Sequence, residues 1–269
     1  MNIISDYHMH TCFSTDSDAQ PETMVQAAVA KGMTRICITD HYDKDYVDGT
    51  DAFTFEPNAY MKYMKELQEK YRGQIDIRIG VEIGLQMHLQ PFYEEFTKTY
   101  PFDFVIGSAH FLKGTDPYYK TVFQGVSDEE SYRCAFQEMV DLVHTIKEFD
   151  VLGHMDYVVR YGNEKATHYS YRRYADYIDV ILKTLIQRGK GIEVNTAGYK
   201  YGLGFAHPHS DVLKRYKELG GEILTIGADA HTPDYVGHEF ERIQQILESL
   251  GFKYYTEFVD RKPIFCKIL

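Results

Sequence analysis

The chain of 269 residues carries 29 basic and 40 acidic residues for a formal net charge of −11, with 44% hydrophobic and 14% aromatic content. That length suits one large domain and that apolar content a large core, while the acidic balance excludes the extended basic surface that nucleic acid or an anionic membrane demands. A small phosphate substrate stays open, because bound cations reverse the local sign of a pocket.

Cys12, Cys37, Cys134 and Cys266 are scattered without C-x-x-C spacing, and nothing in that pattern suggests a disulfide framework or a thiolate zinc knot. The chain enters a strand without a basic leader, and no apolar run approaches about eighteen residues, so a reducing, cytoplasmic location is expected.

Apolar runs and helix-like stretches alternate along the chain. The runs are Ile3–His8, Arg35–Thr39, Ile75–Glu82, Phe102–Gly107, Val151–His154, Gly191–Asn195 and Glu222–Gly227; the stretches centre on 21–31, 57–72, 91–98, 127–149, 170–188, 209–219 and 235–250. Pro21 fits a first helical turn, and Gly32 and Gly189 fit helix ends. Ser127-Asp128-Glu129-Glu130 is a capping box, followed by Tyr132, Phe136, Met139, Val143 and Ile146 at helical spacing. Near-continuous apolar strands alternating with helices imply a parallel sheet with both faces covered. The tail, Phe252–Tyr255 and Pro263–Cys266, is expected to add a strand or to cover one end of a barrel.

The strand ends carry the chemistry. His8 and His10 are two apart, so on a strand they face the same side. Asp229-Ala230-His231 repeats the device late in the chain, and His41, Glu82, His110 and His154 close other runs. An open sheet would spread these ends along its edge; a closed ring brings them to one point. With Asp16 the candidates are six imidazoles and three carboxylates, a donor set for zinc, iron or manganese and not for calcium or magnesium. Nine ligands exceed one ion and fit two or three, with a carboxylate such as Glu82 able to bridge. Adjacent strand residues face opposite ways, so His41 is expected to ligate while Asp40 supports from behind. Three divalent ions, three carboxylates and one hydroxide sum to about +2, which a phosphate monoester dianion neutralises. A structural metal centre is the bland alternative, but structural sites are closed and usually hold one ion with four ligands.

At these residues the chain resembles the polymerase-and-histidinol-phosphatase (PHP) family. The matching segments are Asp6–Thr11, Ser14–Asp16, Ile38–His41, Gly80–Glu82, Ile106–Phe111, Leu152–Asp156 and Ile226–His231. The resemblance implies a distorted (βα)7 TIM-like barrel, a single domain over 1–269, with its active site at the C-terminal ends of the strands. It further implies that His8, His10, Glu82 and Asp229 hold one ion, Glu82, His110 and His154 a second, and Asp16, His41 and His231 a third. Many family members have histidine in place of Asp16. The Ser-x-Asp form, with Asp156–Gly162 and Ile192–Gly198, is similar to the histidinol-phosphatase branch. That branch hydrolyses L-histidinol phosphate to L-histidinol and phosphate in histidine biosynthesis. Lys200 stands where the branch has a basic residue after Asn-Thr-Ala-Gly, and His207-Pro208 departs from its Tyr-Pro.

The expected mechanism is in-line attack on phosphorus by a hydroxide bridging two ions. Arg160 would clamp phosphate oxygens through its planar fork. His207 would protonate the leaving oxygen or bind phosphate, Asp229 would orient or deprotonate the water as well as ligate, and Tyr161 and Asn195 are read as further substrate contacts. Asp43, Asp45, Asp48, Asp51 and Glu56 would form an acidic lid suited to an amine-bearing substrate. His88, His144, His168, His209 and His238 are assigned no chemistry. The rival readings are a 3′-exonuclease, nucleotide phosphodiesterase or protein-tyrosine phosphatase of the same family, and a non-catalytic metal-stabilised module. No feature sets an oligomeric state.

Overall fold

Short strands and longer helices alternate through most of the chain, and the computed structural model describes residues 3–47 and 50–268. The order is β1 (Ser5–Asp6), α1 (Pro21–Ala30), β2 (Arg35–Ile38), β3 (His41–Tyr42), α2 (Pro57–Lys70), β4 (Asp76–Gly84), α3 (Gln90–Thr99), β5 (Phe104–Ser108) and α4 (Asp128–Thr145). Then come β6 (Val151–Leu152), α5 (Ala175–Gln187), β7 (Gly191–Asn195), α6 (Ala197–Lys200), α7 (Ser210–Glu218), β8 (Leu224–Gly227), α8 (Phe240–Ser249), β9 (Tyr254–Val259) and β10 (Lys262–Lys267).

The parallel ladder runs β1-β2-β4-β5-β6-β7-β8, and β3 pairs with β4. Arg35 pairs with Asp76 and His41 with Glu82, both at an offset of 41 (76 − 35 and 82 − 41), so β2 and β3 are one strand interrupted at Thr39-Asp40. The ring closes just beyond β1: Tyr7 N donates to Ile226 O at 3.0 Å, Asp229 N to His8 O at 2.8 Å and His10 N to Ala230 O at 2.9 Å. Seven parallel strands wrapped by helices make a nearly closed, distorted (βα)7 barrel. The distortion lies in β1 and β6, which contribute two ladder residues each.

Local sequence explains the helices that hold this ring. The Ser127 hydroxyl accepts from Glu130 N at 3.2 Å, and Asp128, Glu129 and Glu130 complement the positive end of α4. Tyr132, Phe136, Met139 and Val143 then form its buried stripe. The apolar pattern continues through Ile146 and Phe149, yet the helix stops at Thr145 because Ile146 turns extended. Asp150 N must reach Val105 O to start β6, so these side chains enter the core from an extended segment. Residues 171–174, expected within a helix, form a 3-10 turn instead, and the helix expected from 235 starts at Phe240. Gly32 ends α1 with φ of 74°, a left-handed conformation that glycine adopts without a Cβ clash.

The tail forms the antiparallel hairpin β9–β10, which plugs the N-terminal end of the barrel. Phe258 is 2% exposed and stacks on Phe104 at 5.0 Å, in an interior cluster with Tyr7, Cys37, Ile106 and Val151. Tyr7 Oη donates to Phe258 O at 3.1 Å, and Arg35 pairs with Glu257. The opposite end of the barrel is therefore the one left for chemistry. Among the described residues, no helix is long and apolar enough to cross a membrane.

Candidate metal centre

Glu82, near the end of β4 and fully buried, is the hub. Its Oε2 stands 3.2 Å from His8 Nε2, 3.5 Å from His10 Nε2 and 2.9 Å from His41 Nδ1. Its Oε1 stands 3.1 Å from His110 Nε2 and 2.9 Å from His154 Nε2. Asp229 Oδ1 joins the first group at 3.2 Å from His10 Nε2 and 3.8 Å from His8 Nε2. Two residues after β8 the backbone turns left-handed, φ 53° at Asp229, and so swings this carboxylate inward.

These spacings suit ligand shells. Tetrahedral N/O ligands bound at 2.0–2.2 Å sit about 3.4 Å from one another, and the recorded pairs of the first group, including His8 Nε2 to His10 Nε2 at 3.0 Å, bracket that value. Glu82 Oε2 and His41 Nδ1 are buried without a hydrogen-bond partner although they face one another. Burial without such partners is costly, and a cation between them removes the cost. Donor set, spacing and orphaned atoms agree that these residues bind divalent metal ions.

The electrostatics carry the same demand for positive charge. Burial works against a proton on His8, but Glu193, Glu82 and Asp229 outweigh it and hold the imidazole well above its ordinary range. Burial likewise opposes His41, yet Glu82 and Asp16 raise it to about 9. His10 is pushed well below the ordinary value by burial and by the neighbouring His41 and His231. Burial would raise Glu82, but His8, His110 and His41 draw it far down. Protons here stand where cations of higher charge fit better.

A third group lies closer to solvent. Asp16 Oδ2 is 3.1 Å from His231 Nε2 and 3.7 Å from His41 Nε2, and its side chain is 42% exposed. The His10 ring packs against His41 at 4.1 Å and against His231 at 4.2 Å, which ties this group to the first.

A second layer orients the imidazoles. His8 Nδ1 faces Glu193 Oε1 at 2.5 Å, and His110 Nδ1 faces Asp43 Oδ2 at 2.7 Å. His10 Nδ1 meets the Ser14 hydroxyl at 3.1 Å, which donates to Asp40 Oδ1 at 2.7 Å. Asp40 thus points away from the centre while His41 points in. Gly227 leaves room for this layer: a Cβ there would fall 2.3 Å from His8 Cβ and 2.6 Å from Glu193 Oε1. Sequence reasoning did not single out Glu193 as a support. Its signal was a carboxylate between Ile192 and Val194 in an apolar strand, where an unpaired charge is unaffordable.

Above the ligands opens a cavity of about 420 Å³ whose wall includes Asp16, His41, His110, His154, Asp229 and His231 together with Arg160, Tyr161 and Lys200. Arg160, on the 3-10 segment Tyr157–Tyr161, holds its guanidinium 3.3 Å from the Tyr201 ring centre and 4.9 Å from that of Tyr161. Lys200 lies 4.3 Å from the Tyr235 ring centre, and burial lowers its pKa. Tyr157 and Tyr201 also line this wall and were not anticipated.

Two expected substrate contacts lie elsewhere. His207 is 1% exposed, is not on the cavity wall, and directs Nδ1 at Asp156 Oδ1 2.5 Å away. Backbone hydrogen bonds in both directions clip it to Asn195. Asn195 is fully buried, with Nδ2 3.4 Å from Asp229 Oδ2. Both sit beneath the cavity because β7 and the returning loop pair there.

The acidic segment is not a free lid. Asp43 serves His110, Asp45 pairs with His88 and Lys44, Asp51 pairs with Lys44, and Glu56 caps α2 through Asn58 N and Ala59 N. Asp48 lies outside the described residues. A larger open groove of about 590 Å³ beside Lys65, Arg72 and Asp76 lies away from this centre.

Residues 6–197 match the PHP domain family model, and the chain belongs to that family. It is 34% identical over 252 residues to a probable histidinol-phosphatase of Clostridium acetobutylicum, covering 93% of this chain and 95% of that protein. It is 31% identical over 264 residues to the histidinol-phosphatase of Lactococcus lactis, covering 96% and 95%. The crystal structure of histidinol phosphate phosphatase from Lactococcus lactis, complexed with zinc, L-histidinol and phosphate, superposes with a TM-score of 0.89 at 28% identity over 97% of this chain and 98% of that one.

Proposed function

We propose that the chain, acting as one domain over residues 1–269, is a histidinol-phosphate phosphatase: a phosphoric monoester hydrolase that converts L-histidinol phosphate to L-histidinol and phosphate in histidine biosynthesis. The carrying observation is the convergence of three ligand groups, two of them on the opposite oxygens of Glu82, at the floor of a cavity walled by Arg160 and Lys200. Relatives named histidinol-phosphatase over nearly the full chain support the substrate.

His8, His10, Glu82 and Asp229 would hold one divalent ion, Glu82, His110 and His154 a second, and Asp16, His41 and His231 a third, with zinc, iron or manganese as the metal. Ions in such sites supply a nucleophile from water at neutral pH and neutralise phosphate charge. The chain's own groups do the rest. Arg160, held flat against Tyr201, presents its fork to phosphate oxygens, and Lys200 adds a point charge on the same wall. Asp229 uses Oδ1 toward the ligand group, while Asn195 Nδ2 steadies Oδ2 for orienting water. His207 is a positioning residue: tied to Asp156 and paired with the Asn195 backbone, it fixes the end of β7 beneath Asp229. Tyr161 hydrogen-bonds Tyr157 at 2.9 Å and shapes the wall on which Arg160 lies. The acidic chain acts on a small monoester in the cytoplasm, with neither nucleic acid nor membrane as partner.

Phosphate release from L-histidinol phosphate by metal-loaded protein, beside an aryl phosphate, a phosphodiester and a phosphotyrosine peptide, tests the reading. A preference of roughly 100-fold or more in kcat/KM for histidinol phosphate is expected, since two or more polar contacts discriminate it. Comparable rates on all four would sink the substrate assignment and leave a general phosphoesterase.

A further inference from the structure

The cavity lining carries both signs of charge. Arg160 and Lys200 are its cations; Asp116, from the loop between β5 and α4, is a carboxylate on the same lining. Asp116 is 9% exposed. Its Oδ2 accepts from Tyr46 Oη at 2.6 Å and its Oδ1 from Tyr118 N at 2.8 Å. The other carboxylates of this cavity, Asp16, Asp43 and Asp229, each face an imidazole of the metal centre. Among the described residues, no lysine, arginine or histidine reaches ion-pair distance of Asp116. It is a buried anion without a countercharge, which is costly to hold unless a ligand supplies one.

What surrounds it suits a cation. A carboxylate offers about four acceptor positions, and Tyr46 and Tyr118 occupy two of them. The two hydrogen bonds, one from the β3–α2 loop and one from the backbone, fix the carboxylate's direction without neutralising it. Phe53, Tyr46, Tyr118, Tyr157 and Tyr161 line the same cavity and offer ring faces that attract ammonium and imidazolium groups. The two poles stand close: Arg160 lies 4.9 Å from the Tyr161 ring centre, which is 6.3 Å from that of Tyr118, the residue Asp116 caps.

We propose that Asp116, held in place by Tyr46, is the specificity-determining residue that takes the cationic nitrogen of an amine-bearing phosphate monoester while the phosphate rests against Arg160 and the metal ligands. This assignment rests on the histidinol phosphate reading and names the residue that makes the choice. A phosphate ester without a cationic end has nothing to offer this carboxylate. The acidic recognition sought in residues 43–56 is supplied instead from the β5–α4 loop.

The test uses metal-loaded wild type, Asp116→Asn and Tyr46→Phe, with kcat and KM for L-histidinol phosphate and for p-nitrophenyl phosphate, inhibition by L-histidinol, melting temperature and metal content. Asparagine keeps the acceptor for Tyr118 N but removes the charge. The ratio of kcat/KM for the two substrates should fall roughly 10- to 100-fold in Asp116→Asn, mainly through KM, as expected for losing one charge-assisted hydrogen bond. The inhibition constant of L-histidinol should rise by a similar factor. Tyr46→Phe should move both in the same direction by less. An unchanged ratio and unchanged L-histidinol inhibition in both variants, with wild-type preference intact, would overturn the role of Asp116 alone. Absence of wild-type preference would overturn the substrate reading and this assignment with it. Equal losses on both substrates, with lowered melting temperature or metal content, would make Asp116 a structural cap and also overturn the proposal.

Discussion

The two ends of one barrel handle charge in opposite ways. At the N-terminal end the arginines of the barrel strands and of the plug have carboxylates: Arg35 pairs with Glu257 and with Asp76 at 2.9 Å, Arg78 with Asp76 at 2.6 Å, and Arg261 with Asp150 at 2.5 Å. At the C-terminal end Glu82, Asp229 and Glu193 are buried more deeply than these pairs and face imidazoles, which are neutral unless protonated. The first arrangement sets each charge beside an opposite one and holds a hairpin in place. The second is short of positive charge, and that shortage is what makes it a binding site. A buried charge is evidence of function when its partners leave it unsatisfied, and of architecture when they do not.

Breaking the hub at the functional end should have the largest effect. Glu82→Gln removes the carboxylate shared by two ligand groups, so phosphatase activity should fall by roughly 1,000-fold or more. Metal content measured on the purified protein should fall with it; full metal retention would argue against Glu82 as the shared ligand.

Breaking the architectural end should cost stability and spare the site. Phe258→Ala opens a hole against Phe104 and should destabilise the fold by about 3–5 kcal/mol. Chemical denaturation reads that loss, and turnover per folded, metal-loaded molecule at low temperature should stay close to wild type. A large drop in that turnover would show that the two ends are coupled.

Arg160→Ala sharpens the comparison from within the functional end. It should lower kcat/KM about 100- to 1,000-fold, the scale for losing one preorganised group that meets developing charge. Metal content should hold, because Arg160 touches tyrosines and no ligand. Equal loss of metal and turnover would refute the clamp.

The smallest effect lies on the barrel's outer wall, where Arg215 bonds to Asp179 and lowers its pKa from 3.8 to about 2. The folded value is below the unfolded one, so the stabilisation is present above about pH 4 and disappears as pH falls toward 2. Asp179→Asn should therefore narrow the stability difference between pH 5 and pH 2 in urea titrations, relative to wild type. An identical acid limb would show that this part-buried pair contributes nothing.

Much of this was written in local patterns. The parity of His8 and His10, the repeat at Asp229 and His231, and single ligands at the ends of apolar runs are properties of strands, and a strand side chain's direction follows from its place in the alternation. The same parity separates Asp40 from His41. The capping box at Ser127 and the glycine after α1 set helix boundaries through their nearest neighbours. Features that depend on distant chain segments stayed hidden. Glu193 supports His8 across 185 positions of sequence, and Asp116 meets Tyr46 across 70. The apolar strand around Glu193 signals that its charge needs a partner, but nothing local names the partner in either case. The depth of His207 was hidden for the same reason: its loop returns to pair with Asn195, and only that pairing sets it.

What the sequence by itself determined is the order of elements, the closed parallel ring and the donor set at its C-terminal end, because hydrophobic period and side-chain alternation are local consequences of backbone geometry. Tertiary structure alone decided that the tail plugs the opposite end, that Glu82 turns one oxygen to each of two imidazole groups, and that Asp116 and Arg160 line one cavity. Those are relations between segments, made by packing and by the requirement that buried charges find partners across the fold.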